Sequence, residues 1–484
     1  MGRVRTTRPI LVALLVVLLL PAPAAVAAST VLDWQPCADD PSARCAVLRV
    51  PVETDGDGYA ETLPIAVAKR PATQPAQRIG TLIVNPGGPG GSGVDMVIDA
   101  PRFFSAALRA RFDIVGFDPR GVGRSSPVIC ARSLLDTTPS PLVATKSAYR
   151  KLLGFHRALT EDCARRSGPV YRHADTLSVV RDMDRLRHAL GEERISFYGA
   201  SYGTLLGTQY AALYPRRTRA LVLDSVMDHS VDTAQFLAEG TAAAQDAFAQ
   251  FAGWCGRSPD CVLHGKNVRV LWQALLARAA AGTLVDPYRP GFRPNVFDLL
   301  DVAFGSFYDP QWSSLAYYIQ EALTGPPARR AAGPPTAENS FPAIFCSDYR
   351  FPTMGYASYA RRLATLRASA PDMRASSLAL SSVAACLGRS GPIANPQRPF
   401  ARTPVPTLVV GSRHDPATPY IWATRVAAQL GPNASMVTYL GWGHVSYGRT
   451  TCVTGLIDRY LISLTRPAPG AACPGVLPPP SGVG

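Results

Sequence analysis

Between positions 79 and 228 the sequence alternates short apolar runs with segments of helical periodicity. The clearest runs are 81–84, 112–117 and 220–223. They are too short for helices, and an uninterrupted apolar run is typical of a strand buried on both faces of a parallel sheet. Strands that alternate with helices in this way predict an α/β fold, with a mostly parallel central sheet and helices on both faces.

The sequence Gly-Ala-Ser-Tyr-Gly at 199–203 follows a further apolar run, 195–198, and precedes a helical stretch. A strand, a sharp turn and a helix form the context of a nucleophile elbow, where a strained serine needs glycines on either side. The alternative is a tight turn with an inert serine. Because the partners of a nucleophilic serine also occur, we predict Ser201 as the nucleophile of an α/β-hydrolase fold.

A serine hydroxyl needs a base to take its proton, and that base needs an acid that fixes its tautomer. In this fold the acid follows the serine in the chain, and the histidine comes last. Asp415 comes just after an apolar run that ends at 411, and His444 lies in a glycine-flanked loop after the next run, 436–439. We therefore predict Asp415 as the acid and His444 as the base.

Other residues compete for these roles. His414 is a rival base, although it adjoins Asp415 in sequence, and adjacent side chains in an extended loop point apart. Asp224 and Asp228, just past an earlier strand, are alternatives for the acid. Thr418 is a candidate to support Asp415 through a hydrogen bond.

A glycine-rich segment at 85–93 follows the first of the strands described above. It lacks the Gly-Lys-Ser/Thr end of a phosphate-binding loop, and Pro86 and Pro89 remove two amide donors. We interpret it as an oxyanion hole, formed by the N–H groups of Gly87, Gly88 and Tyr202. A mere tight turn is the alternative.

The segment 116–125, which contains Asp118, Arg120 and Arg124, is equally well marked but carries no obvious chemistry. We interpret it as structural, with Asp118 and one of the two arginines tying a turn.

The domain organisation follows from where the strand pattern stops and returns. Segment 29–229 is the first part of the hydrolase core, 230–402 is Ala- and Leu-rich helical sequence that we interpret as a lid, and 403–484 completes the core and ends in a tail.

Residues 1–28 contain three arginines, an apolar run and a small-residue end, the pattern of a signal peptide cleaved after Ala27 or Ala28. The apolar run is shorter than a spanning helix needs. We expect a secreted protein without stable membrane insertion.

Ten cysteines in an exported chain predict disulfides. The sequence alone leaves the connectivity open, but pairing in chain order closes the shortest loops: 37 with 45, 130 with 163, 255 with 261, 346 with 386, and 452 with 473. No C-x-x-C pair occurs, which disfavours a metal site.

The formal net charge is +14, yet the basic residues are spread thinly, and 47% of the residues are hydrophobic. This describes a packed globular protein rather than a partner of nucleic acid. We expect a monomer.

Taken together, these segments resemble the proline iminopeptidase branch of the α/β hydrolases, and most closely the secreted tripeptidyl aminopeptidases of actinomycetes. The family's His-Gly-Gly-Pro-Gly appears here with proline at its first position, Pro86. A cysteine-aspartate signature of the family resembles the sequence 343–348. The other matching segments are the Asp118 segment, 199–203, 415–419 and 443–444.

The resemblance implies release of short peptides, often tripeptides, from a free amino terminus, through an acyl-enzyme and without a cofactor. Recognition of an α-ammonium requires carboxylates near the site, and Asp348 and Glu338 are the candidates. An unpaired surface acid or a helix cap is the competing interpretation of each.

Two other functions stay open. The same triad serves carboxylesterases and lipases, and a hydrolase fold without activity would serve as a binding protein. The second would need a broken triad, and none is visible.

Overall fold

The computed structural model describes Gly2 and residues 32–478, apart from 53–60, 290, 325–335 and 390–392. Except for Gly2, the expected signal peptide lies outside the described residues. The strands are β1 (Gln35–Pro36), β2 (Arg44–Pro51), β3 (Thr62–Arg70), β4 (Gly80–Asn85), β5 (Phe112–Phe117), β6 (Ile129–Ala131), β7 (Ile195–Ala200), β8 (Thr218–Asp224), β9 (Thr336–Glu338), β10 (Thr407–His414), β11 (Ala434–Trp442) and β12 (Ala472–Cys473).

In the described ranges, ten of these strands form one sheet in the order β1-β2-β3-β5-β4-β7-β8-β10-β11-β12. From β5 to β12 every neighbouring pair is parallel, while β1, β2 and β3 add an antiparallel edge. Each strand predicted from an apolar run lies in this parallel part. The remaining two, β6 and β9, pair with each other outside the sheet.

The helices are α1 (Gly93–Ile98), α2 (Ala100–Phe103), α3 (Ala106–Arg111), α4 (Arg132–Leu135), α5 (Lys146–Ser167), α6 (Thr176–Ala189), α7 (Gly203–Leu213), α8 (Thr233–Arg257), α9 (Val268–Ala280), α10 (Val296–Tyr308), α11 (Trp312–Thr324), α12 (Ser340–Asp348), α13 (Tyr356–Ser369), α14 (Ser377–Cys386), α15 (Tyr420–Leu430) and α16 (Thr451–Ser463). Helices α6, α7 and α15 pack on one face of the sheet, and α1, α3 and α16 pack on the other. The predicted α/β architecture is confirmed. None of the described helices is long and apolar enough to cross a membrane.

The segment between β8 and β10, which the sequence assigns to a lid, holds helices α8 to α14. Helices α8 to α11 surround an aromatic core that includes Phe248, Phe251 and Trp272. The helix α10 begins with a capping box, in which Asn295 and Asp298 satisfy each other's backbone N–H groups, and ends before Pro310. The capping box therefore marks the first turn of α10, and Pro310 marks the end of the helix at Tyr308.

The Asp118 segment ties a turn to the sheet. Asp118 is fully buried and accepts hydrogen bonds from the backbone N–H groups of Val94 and Arg124. Arg120 is also fully buried and donates through Nε and Nη2 to the two oxygens of Asp182 on α6, each at 2.8 Å. Of the two arginines, Arg124 thus ties the turn with Asp118, whereas Arg120 joins the segment to α6.

All ten cysteines lie in the described ranges and form five disulfides. The pairs follow chain order: Cys37–Cys45, Cys130–Cys163, Cys255–Cys261, Cys346–Cys386 and Cys452–Cys473. The predicted presence of disulfide bonds is confirmed.

Candidate active site

Ser201 stands in the turn between β7 and α7 with a positive φ of 55°, which a residue with a side chain rarely adopts. Its N–H donates to the carbonyl of Asp224 at 2.9 Å. The flanking positions have no room for a side chain, because a Cβ at Gly199 would lie 2.5 Å from the carbonyl oxygen of Gly203, and one at Gly203 would lie 2.6 Å from Oδ1 of Asn85. The turn therefore has the strained, glycine-flanked geometry of a nucleophile elbow.

His444 and Asp415 lie in contact at the carboxyl end of the sheet. The Nδ1 atom of His444 is 3.0 Å from Oδ1 and 2.9 Å from Oδ2 of Asp415, and both side chains are buried. Asp415 also accepts the N–H groups of Ala417 and Thr418, at 2.8 and 3.0 Å, and the Thr418 hydroxyl at 2.9 Å. Thr418 thus contacts the carboxylate as the sequence suggests.

Burial by itself would raise the pKa of Asp415, but the contact with His444 and the donors around Thr418 hold the pKa below its ordinary value. The carboxylate is therefore ionised and fixes the proton of His444 on Nδ1. The Nε2 atom is buried and has no hydrogen-bond partner within the described residues. This leaves Nε2 as the acceptor that a general base requires.

The end of β8 holds the elbow and the histidine loop together. The carbonyl of Asp224 binds Ser201, as described, and its carboxylate accepts the N–H groups of Ser446 and Tyr447 at about 3 Å. Asp224 therefore positions the loop that carries His444, instead of contacting the imidazole of His444.

His414, the alternative base, and Asp228, the second alternative acid, both contact other side chains. The Nδ1 atom of His414 lies 2.6 Å from Asp246 of the lid, and its ring stacks on Trp442. Asp228 forms an ion pair with Arg425 at 2.6 Å. Of the acids and histidines considered, the structure brings only Asp415 and His444 together.

The glycine-rich segment lies against the elbow, with one departure from the expected donors. The N–H of Gly87 is not free, because it donates to Oδ1 of Asn85 at 3.0 Å. A Cβ at Gly87 would lie 2.7 Å from the backbone nitrogen of Tyr202, so glycine here keeps that amide uncovered. Gly88 and Tyr202 line the same cavity as Ser201. Of the three expected donors, Gly88 and Tyr202 remain candidates for the oxyanion hole.

The cavity beside Ser201 has a volume of about 60 Å³. Most of its wall is apolar and comes from the lid and α15, including Phe236, Phe341, Phe345, Leu378, Ala379 and Trp422. Tyr308, the last residue of α10, also lines it. No pattern in the sequence distinguishes Tyr308 from the many lid aromatics that pack in a core, so the sequence does not predict that Tyr308 lines the cavity.

Asp348 does not lie where a substrate ammonium could reach it. It is fully buried and accepts hydrogen bonds from the N–H of Thr176 at 3.0 Å, the Tyr202 hydroxyl at 2.6 Å and the Asn395 amide at 2.9 Å. Its role as an amine receptor is therefore wrong, because protein donors occupy both of its oxygens. It joins the lid to the elbow and to the start of α6.

Glu338, the second candidate, is exposed at the end of β9. Its Oε1 accepts the N–H of Gly123 at 3.0 Å. It lies three residues before Phe341 of the cavity wall. Among the described residues, no group of three or more His, Cys, Asp or Glu side chains could hold a metal ion.

A family model described as the alpha/beta hydrolase fold matches residues 80–448. Three relatives are similar over most of their length. "Serine protease Hip1" of Mycobacterium tuberculosis is 30% identical and covers 91% of both chains. "Tripeptidyl aminopeptidase" of Streptomyces lividans is 29% identical over 93% of this chain and 88% of its own. "Carboxylesterase B" of Mycobacterium tuberculosis is 32% identical over 89% and 86%. The resemblance to the tripeptidyl aminopeptidases is confirmed.

Proposed function

The chain belongs to the α/β-hydrolase family and is a serine hydrolase, and we propose that it is an exported peptidase that releases short peptides, principally tripeptides, from free amino termini. Ser201 is the nucleophile, His444 the general base and Asp415 the acid that orients His444. The observation that carries this assignment is the buried contact between His444 and Asp415, which leaves Nε2 of His444 without a partner.

In the proposed reaction, Oγ of Ser201 attacks the scissile carbonyl while its proton passes to Nε2 of His444. The electron pair of the carbonyl moves onto oxygen, where the N–H groups of Gly88 and Tyr202 stabilise the charge. The imidazolium then gives its proton to the leaving amine, and the acyl-enzyme remains. Water, activated by His444 in the same way, hydrolyses the ester and releases the short peptide.

Two of the three relatives are named as peptidases, which supports a peptide substrate. The apolar lining of the cavity beside Ser201 supports an apolar residue next to the scissile bond. The relative named a carboxylesterase favours the second candidate, an esterase that uses the same triad. The five disulfides support export.

An aminopeptidase needs a carboxylate for the substrate's ammonium. With Asp348 excluded, Glu338 is the remaining candidate: it is exposed, and its neighbour Phe341 lines the cavity. An ammonium bound to Glu338 would then fix the number of substrate residues between the amino terminus and the scissile bond at Ser201.

The test compares the wild-type enzyme with the Ser201→Ala variant on three chromogenic substrates: a tripeptide amide with a free amine, its N-acetylated twin and a short-chain ester. We expect the wild type alone to cut the free tripeptide, and acetylation to abolish cleavage. Glu338→Gln should raise KM for the free tripeptide, whereas Glu193→Gln, at an exposed position on the core, serves as the matched control. Cleavage of the ester alone would make the enzyme an esterase.

A further inference from the structure

Tyr308 of the lid touches the histidine of the proposed triad. Its ring centroid lies 4.5 Å from that of the His444 imidazole, with the planes inclined at 52°. Its backbone carbonyl accepts the N–H of His444 at 2.8 Å. A residue at the end of α10 thus holds His444 through both its ring and its main chain.

The side chain of Tyr308 also lines the cavity into which Ser201 opens. Partial burial of the phenol raises the pKa of Tyr308 to about 12, and the charge of Asp415 acts in the same direction. The phenol therefore stays neutral near neutral pH and keeps its proton to donate. With 38% of its surface exposed, the side chain is also open to a substrate.

The residues after Tyr308 contact the loop that carries His444, residues 443–449. Asp309 pairs with Arg449 at 2.7 Å, and Nη2 of Arg449 donates to the carbonyl of His444 at 3.1 Å. Pro310 lies so close to Gly443 that a Cβ there would come within 2.7 Å of it. These contacts fix the main chain that follows Tyr308 against the loop that carries His444.

Two backbone N–H groups, those of Gly88 and Tyr202, are left to stabilise an oxyanion at Ser201, because the N–H of Gly87 is occupied by Asn85. A third hydrogen-bond donor to the oxyanion would therefore add to the site. Tyrosine hydroxyls are among the groups that stabilise a developing oxyanion, and such donors are strongest in a site that excludes water. Tyr308, Gly88 and Ser201 line one cavity.

We propose that Tyr308 is a catalytic residue supplied by the lid. As the bond between Ser201 and the carbonyl carbon forms and the proton moves to His444, the hydroxyl donates to the carbonyl oxygen together with Gly88 and Tyr202. This role rests on the proposed serine mechanism and not on the choice between peptide and ester substrates.

The test uses Tyr308→Phe, which keeps the ring and the main-chain contact with His444, beside Tyr317→Phe as a control. Tyr317 is a lid tyrosine with 41% of its surface exposed. Each enzyme is measured for kcat and KM on the best substrate of the wild type, and for its rate of labelling by a small fluorophosphonate. That reagent transfers its phosphonyl group to an active serine with loss of fluoride, and its phosphoryl oxygen occupies the oxyanion site.

We expect Tyr308→Phe to lower both kcat and the labelling rate by about 10- to 100-fold, with KM changed less than about threefold and the thermal midpoint unchanged. Tyr317→Phe should match the wild type. If wild-type Ser201 resists labelling and no substrate is turned over, the proposed function fails and this inference fails with it. If wild type and Tyr308→Phe react at equal rates in both assays, only the role of Tyr308 is overturned.

Discussion

Asp348 is a buried carboxylate whose titration should make the stability of the folded enzyme depend on pH. Burial, together with the charge of Asp175, raises the pKa of Asp348 from 3.8 to about 7, although the hydrogen bonds from Thr176, Tyr202 and Asn395 act in the opposite direction. Between these two values the folded state binds the proton that the unfolded chain has lost. Stability therefore falls as pH rises from about 4 to about 7.

The size of the effect follows from the two pKa values. A difference of one in pKa corresponds to about 1.4 kcal/mol, so the ionised Asp348 costs the folded state ~4 kcal/mol once titration is complete. Roughly 2.5 kcal/mol of this develops between about pH 5 and pH 8. With an unfolding entropy of about 2.1 cal/mol/K per residue, a chain of this length should lose about 3 °C in Tm over that range.

The measurement compares the wild type with Asp348→Asn, which is neutral at every pH. We expect the Tm difference, variant minus wild type, to become about 3 °C more positive from about pH 5 to pH 8. Asp301→Asn, at an exposed carboxylate on α10, provides the matched control and should show no such trend. The change of the Tm difference with pH does not depend on the pH-independent free-energy cost of placing an amide at position 348.

A Tm difference between Asp348→Asn and wild type that is the same at both pH values would refute the reasoning. It would mean that the hydrogen bonds from Thr176, Tyr202 and Asn395 outweigh burial, so that Asp348 remains ionised throughout.

Three further changes test other contacts. Thr418→Val removes a hydroxyl that donates to the carboxylate of the triad, so kcat/KM should fall about 10-fold, whereas Thr418→Ser should stay near wild type in the same steady-state assay. Arg449→Gln should lower kcat more than Asp309→Asn does, since the guanidinium also binds two carbonyls of the histidine loop; equal losses would contradict this. Arg120→Met leaves the charge of Asp182 buried without its main partner, and urea unfolding should show a loss of ~3–5 kcal/mol, which the additional change Asp182→Leu should largely restore.

The sequence by itself determined what local patterns encode. Strands β4, β5, β7, β8, β10 and β11 appear as apolar runs because a parallel strand covered on both faces needs no polar residues. The turn at Ser201 is recognisable because glycines must flank a strained serine. The positions of Asp415 and His444 follow from the order in which this fold presents its catalytic groups. The antiparallel strands β2 and β3 lacked such a signal and were not predicted.

Tertiary structure decided everything that depends on partners distant in the chain. Asp348 meets Tyr202 across 146 residues, so no local pattern could show that protein donors, and not a substrate, occupy its carboxylate. Tyr308 contacts His444 and lines the cavity of Ser201, although both lie more than 100 residues away in the chain. The spacing of a helix encodes which of its faces is apolar, not which core that face covers.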